Sequence, residues 1–272
     1  MSDSPIGVFD SGVGGLTVLK ALAAQLPRES FVYLGDTARL PYGTKSPETV
    51  VRYALQAAQA LAAYGVKCLV VACNTASAVG LPAVTERIRD VPVIGVIEPG
   101  AEAACATSRS GHIAVIATEG TVRGGAYQDA IVRRRSDARV SALPAPLFVA
   151  LAEEGLCTGP IAQSVARHYL EPLFDPRSGT SRPDTLVLGC THFPMLADTI
   201  RLVAGPGVSI VDSAQTTALH VRRTLEAAGL AAEGGTGGLR LLATDAAERF
   251  ARIGGRFLER PIRPHEVELI DL

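Results

Sequence analysis

Two of the five cysteines in this 272-residue chain stand where chemistry is expected. Each closes an apolar run and is followed at once by polar residues. The first lies in Lys67-Cys68-Leu69-Val70-Val71-Ala72-Cys73-Asn74-Thr75-Ala76-Ser77, the second in Asp184-Thr185-Leu186-Val187-Leu188-Gly189-Cys190-Thr191-His192-Phe193-Pro194. Each segment reads as a buried strand that delivers a thiol to its carboxyl end, where a helix begins. Ligands gather at that edge of an open α/β sheet, and a helix amino terminus favours thiolate over thiol. A free Cys is more often a small buried hydrophobe, and Cys68, Cys105 and Cys157 are read that way. For Cys73 and Cys190 the successors argue otherwise, because Asn74-Thr75 and Thr191-His192 can donate hydrogen bonds to a ligand carboxylate.

A thiolate on one side of a substrate carbon and a thiol on the other can invert that carbon without turning the substrate over. One takes a proton, the other returns one, and afterwards their roles have exchanged. The Cα–H beside a carboxylate is a very weak acid, and a Cys near its free pKa of about 8.5 is poorly matched to it. Pyridoxal phosphate on a lysine is the usual remedy. Only Lys20, Lys45 and Lys67 are available, and none lies in a segment of that character. Spacing leaves a Schiff-base lysine open; a cofactor-free route would instead need amide donors aimed at the carboxylate and a water-poor cleft. No metal is expected, since the five His residues are scattered and no Cys-x-x-Cys pair occurs.

Three further segments carry polar residues that could serve a site. Asp10-Ser11-Gly12-Val13-Gly14-Gly15 would let backbone N–H groups approach an anion at a helix start. It lacks the ending of a phosphate-binding P-loop and the full dinucleotide spacing, but Asp10 is an acid where a thiol could use it. Pro41-Tyr42-Gly43 reads as a turn presenting backbone amides and a phenol to a cleft. Glu153 and Glu154 follow the apolar run Leu147–Leu151, and by spacing alone they are a solvated helix end.

The elements that must position these residues alternate between β-like and helical patterns from end to end. This argues for α/β architecture with largely parallel sheets. Strands are expected at 5–10, 31–35, 67–72, 91–97, 111–117, 139–143, 184–189, 208–213 and 239–243, several apolar at successive positions as in strands covered on both faces. The clearest helix is 47–64, capped by Ser46, with Pro47 in its first turn, Gly65 at its end and a stripe of Val50, Ala54, Ala57, Ala58 and Leu61. The strand–Cys–turn unit recurs 117 positions apart, which suits two facing lobes rather than a solenoid. The expected division is residues 1–98 with 209–272 as the first lobe, holding Asp10 and Cys73, and 99–208 as the second, holding Cys190 and His192. Glu98-Pro99-Gly100 and Gly205-Pro206-Gly207 are the expected crossing points. A formal charge of −1 gives no reason to expect a nucleic-acid partner. No apolar run reaches membrane-spanning length, no leader-like segment precedes the first strand, and unframed cysteines suit a reducing cytoplasm.

In this order, the segments Gly7–Leu16, Gly35–Arg39 with Pro41–Gly43, Val71–Ser77 and Leu188–Pro194 resemble the glutamate racemase family. The resemblance implies cofactor-independent interconversion of L- and D-glutamate, supplying D-glutamate for peptidoglycan, by a cytoplasmic enzyme that is often a homodimer. It implies that Cys73 serves the D-enantiomer with help from Asp10. Cys190 would serve the L-enantiomer with help from His192 and from Glu153, which the segment Pro146–Glu153 adds. It further implies substrate binding by Asp10, Ser11, Pro41, Tyr42, Gly43, Asn74, Thr75, Thr121, Thr191 and His192. Three rival readings stand beside it: an aspartate racemase with a smaller cleft, a hydrolase using Cys190 and His192, and a non-catalytic module for a small dicarboxylate.

Overall fold

The Val- and Ile-rich runs form strands covered on both faces, and the two cysteine-bearing strands are buried at every position. The computed structural model describes residues 3–174 and 182–272. In chain order its strands are β1 (Ile6–Asp10), β2 (Phe31–Gly35), β3 (Cys68–Val71), β4 (Val93–Gly95), β5 (His112–Ala117), β6 (Arg139–Pro144), β7 (Thr185–Gly189), β8 (Ser209–Asp212), β9 (Leu239–Ala243) and β10 (Val267–Leu269). Two sheets result, ordered β10-β9-β2-β1-β3-β4 and β6-β5-β7-β8. Every pairing in both is parallel. Crossover helices therefore cover the faces, as parallel sheets require.

These helices are α1 (Leu16–Gln25), α2 (Pro47–Ala62), α3 (Asn74–Arg87), α4 (Ile97–Thr107), α5 (Glu119–Arg123), α6 (Ala126–Arg134), α7 (Leu147–Glu154), α8 (Gly159–Phe174), α9 (Ala197–Ala204), α10 (Ser213–Ala227) and α11 (Ala247–Leu258). In α2 the Ser46 hydroxyl accepts from Thr49 N at 3.3 Å, satisfying an otherwise free helical donor. Its expected stripe is the buried one, and Gly65 beyond it takes φ +67°. One apolar cluster runs from Val8 and Leu16 of the first sheet's layer to Leu186, Leu188 and Phe193 of the second, so the lobes share a core.

Two expectations are corrected. Residues 209–212 do not belong with the first lobe: β8 pairs with β7, Leu186 opposite Ile210. Its adjacent apolar residues Ile210 and Val211 would suit either sheet, and only the pairing decides. The chain does pass between the sheets at Glu98-Pro99-Gly100, which forms the first turn of α4, but the crossing expected at Gly205-Pro206-Gly207 falls between α9 and β8 on the way to the second sheet's own edge. The short strand β10, unforeseen, lies at the edge beside β9.

Candidate active site

β1 and β3 lie side by side, so their carboxyl ends bring Asp10 and the Cys73 turn together. In the second sheet β5 and β7 do the same for Thr118 and Cys190. The site forms where these four ends meet. Cys73, Cys190, Asp10, Asn74, Thr75, Thr121, Thr191 and His192 are all buried there.

Cys73 is the N-cap of α3: its Sγ accepts from Ala76 N at 3.4 Å. The thiol donates towards Ser11 Oγ at 3.8 Å. Burial pushes its pKa up to about 12, and the nearby Asp10 charge adds to this against the Ala76 and Ser11 hydrogen bonds. Asp10 Oδ2 accepts from Gly12 N at 3.0 Å, while Oδ1 lies 3.5 Å from Thr191 Oγ1 across the cleft. Burial raises its pKa, opposed by the His192 charge and by backbone amides of Gly15, Gly12 and Ser11.

On the other side Cys190 Sγ lies 3.8 Å from His192 Nδ1, and His192 Nε2 lies 3.3 Å from Glu153 Oε1. Burial alone would lower the His192 pKa, but its bonds to Cys190 and Glu153, with the charges of Cys190 and Asp10, push it up to about 10. Glu153 is held below the usual carboxylate range, first by its bond to His192 and also by Arg249. Glu153 is thus a paired, mostly buried end of α7 rather than the solvated one its spacing suggests.

Glycines bring the lobes this close. A Cβ on Gly14 would stand 2.4 Å from His192 Nδ1 and from Thr191 Oγ1. One on Gly43 would stand 2.7 Å from the Thr118 Cβ. Thr17 Oγ1 donates to the Thr191 carbonyl at 2.9 Å, tying the start of α1 to the second cysteine turn.

Asn74 and Thr75 also reach across. Asn74 Oδ1 accepts from the Tyr127 hydroxyl at 2.8 Å, which turns its Nδ2 donors the other way, buried and without an acceptor. Thr75 Oγ1 lies 2.9 Å from Thr118 Oγ1 and 3.2 Å from Thr121 Oγ1. Thr118, absent from the sequence expectations, caps α5 and follows an apolar strand just as the two cysteines do; that signal could have found it. The Pro41-Tyr42-Gly43 turn reaches the site through Gly43, with Pro41 exposed at its rim. The Tyr42 phenol, expected to face the cleft, instead donates to the buried Asp36 carboxylate at 2.5 Å. Asp36 also accepts from Arg39 Nε at 2.7 Å and Thr244 Oγ1 at 3.0 Å, so it organises the loop from beneath.

A pair of thiols on opposing sheets, each with its own acid–base partner, is equipped for proton transfer on two faces of one carbon. Among the described residues, no cluster of His, Cys, Asp and Glu could hold a metal, and no helix is long and apolar enough to cross a membrane. The family model for Asp/Glu/hydantoin racemase matches residues 6–221. A glutamate racemase from Geobacter metallireducens is 49% identical over 93% of this chain and 92% of its own. Among solved structures, a glutamate racemase from Bacillus anthracis superposes with TM-score 0.93 at 37% identity, covering 100% of this chain and 99% of that one. A glutamate racemase from Francisella tularensis, determined in complex with D-glutamate, gives TM-score 0.91 at 34% identity over 100% and 98%. With its two parallel sheets and two opposed cysteine turns, this chain belongs to the Asp/Glu/hydantoin racemase family.

Proposed function

We propose that this protein interconverts L- and D-glutamate by cofactor-independent proton transfer between its two cysteines. One observation carries the reading: Cys73 and Cys190 close strands of opposing sheets, and each has a separate acid–base neighbour. The names of its relatives support glutamate as the substrate.

In the L-to-D direction the Cys190 thiolate removes the Cα proton, and the electron pair moves onto Cα and its carboxylate. The Cys73 thiol returns a proton to the opposite face, leaving Cys73 as thiolate and Cys190 as thiol. The reverse reaction exchanges these roles. Protonated His192 is placed to donate Nδ1–H to the Cys190 sulfur while Glu153 accepts from Nε2, which favours the charged form of His192. Burial favours the neutral thiol at Cys73, an acid ready to complete the first turnover. Asp10 assists proton movement there.

Charge builds on the substrate carboxylate during the transfer, so fixed donors aimed at it lower the barrier. Asn74 Nδ2 is suited to this role by its burial and its lack of an acceptor. Ser11, Thr75, Thr121 and Thr191 supply hydroxyls, and the Pro41–Gly43 turn closes over the substrate. Lys20 and Lys67 are engaged by Glu259 and Glu29, in keeping with a route that needs no Schiff base.

The same reading makes the protein a cytoplasmic homodimer that supplies D-glutamate for peptidoglycan. It takes residues up to 98 and the C-terminal segment as one lobe, and the residues around β5–β8 as the other. Proton NMR with L-glutamate in D2O, without pyridoxal phosphate, tests the activity. Loss of the Cα–H signal together with decay of circular dichroism is the expected result. A folded protein that changes neither would overturn it. The 3.8 Å Cys190–His192 contact also suits a hydrolase, but that chemistry leaves Cys73 idle, and Cys73→Ala would then retain activity.

A further inference from the structure

The Glu153 carboxylate serves two partners from two lobes. Oε1 faces His192, while Oε2 takes Arg249 Nη2 at 2.8 Å. Arg249 belongs to α11, between β9 and β10 of the first sheet, whereas Glu153 ends α7 in the second. About two helical turns further on, Arg256 Nη1 donates to the Glu153 main-chain carbonyl at 2.9 Å. The last turn of α7 is thereby gripped at side chain and backbone by one helix of the opposite lobe. Phe257 of that helix packs edge-on against the His192 ring, with centroids 5.2 Å apart. The side-chain contacts form an unbroken line, Arg249–Glu153–His192–Cys190, and its first member is half-exposed.

We propose that Arg249 is a positioning residue for the Cys190 side: from across the cleft it fixes Glu153 against His192, so that this proton relay is complete only with the lobes together. The inference rests on the racemase reading. A carboxylate with one oxygen pinned by a guanidinium has its other oxygen aimed. Without Arg249, Glu153 is free to turn towards solvent, and His192 loses the partner that orients it. The charged groups facing this relay are Arg249 and Arg256 from α11, Asp10 from β1 and Cys190 itself. None of these would replace the Arg249 contact to Oε2.

The test exploits the two directions of the reaction. Wild type, Arg249→Gln, Arg249→Lys and the same-helix control Arg252→Gln are assayed with L- and D-glutamate, each also deuterated at Cα. Wild-type failure to racemise either enantiomer would defeat the underlying reading before any variant is compared. Given activity, Arg249→Gln is expected to lose roughly three- to tenfold in kcat, the range for a partly exposed charged contact acting through one neighbour. The decisive readout is asymmetry. Transfer at Cys190 becomes more rate-limiting, so the isotope effect rises with deuterated L-glutamate and falls with deuterated D-glutamate. Arg249→Lys should recover part of both changes, and Arg252→Gln should match wild type. A kcat within twofold of wild type, or a fall with both isotope effects moving together, overturns the proposal, because a merely structural role would not distinguish the directions.

Discussion

On the proposed mechanism the Cys73 and Cys190 sides perform mirror-image tasks with different equipment. Cys73 sits in the less charged half: its thiol is pushed up to about 12, its acid Asp10 is raised by burial, and the sulfur accepts from a backbone amide and donates towards a serine. Cys190 sits beside an ionic chain in which His192 is pushed up to about 10 and Glu153 is lowered. A symmetric reaction thus does not need symmetric side chains. On that mechanism it needs two sites that exchange protonation states in one turnover. Burial favours the neutral thiol at Cys73, while hydrogen bonding and ion pairing favour the charged form of His192.

The most severe way to break this comparison is to remove either sulfur. Cys73→Ser and Cys190→Ser should each cost roughly 10³-fold or more in kcat, since neither base can replace the other. Retained far-ultraviolet circular dichroism would show that the fold survives, and full activity in either variant would refute the division of labour. His192→Asn attacks only the ionic side and should cost about 10²-fold, the lower end for a lost acid–base group. In a steady-state assay that loss should exceed the one caused by Arg249→Gln.

Gly14→Ala strains both sides at once by wedging a methyl group between the lobes. Overpacking of this kind costs about 1–3 kcal/mol, so the melting temperature should fall by roughly 3–8 °C. Racemisation should fall with it; calorimetry beside the activity assay checks both. Thr118→Ala spares both relays and removes a hydroxyl that faces Thr75, so about a fivefold rise in KM with little change in kcat is expected.

Glu153→Gln sharpens the electrostatic contrast through stability. The His192 pKa rises from 6.5 to about 10 on folding. Protonation therefore contributes stability that is complete below pH 6.5 and is lost as pH rises through about 10. Denaturant unfolding across that window should show the decline in wild type. Glu153→Gln should flatten it, with a difference on the order of 1 kcal/mol at the acidic end.

Much of this arrangement is legible in the chain because it is local. An apolar run, a cysteine and a polar turn sit within eleven residues, and the structure brings both such units to facing sheet ends. The central strands β1, β2, β3, β5 and β7 are readable because they are buried at every position. β10 was not: it has three residues, two of them exposed, and no period to detect. The sheet that holds β8 is decided by its pairing partner, which no local pattern specifies. The same limit hid Arg249, which meets Glu153 across 96 positions of sequence. The Tyr42 phenol misled for a related reason, since its acceptor Asp36 is buried beneath the turn that displays the tyrosine.

The hydrogen bond from Ala76 N to Cys73 Sγ gives the sulfur a second occupation. It closes the first turn of α3, so each proton that it gains or loses also weakens or strengthens a helix cap. Amide hydrogen exchange at Ala76 should then slow when Cys73 is ionised, allowing the backbone to report the chemical state of the side chain. It also separates two substitutions that look alike on paper. Serine removes the thiol but keeps a capping oxygen, whereas alanine removes the base and loosens the helix on which Asn74 and Thr75 stand.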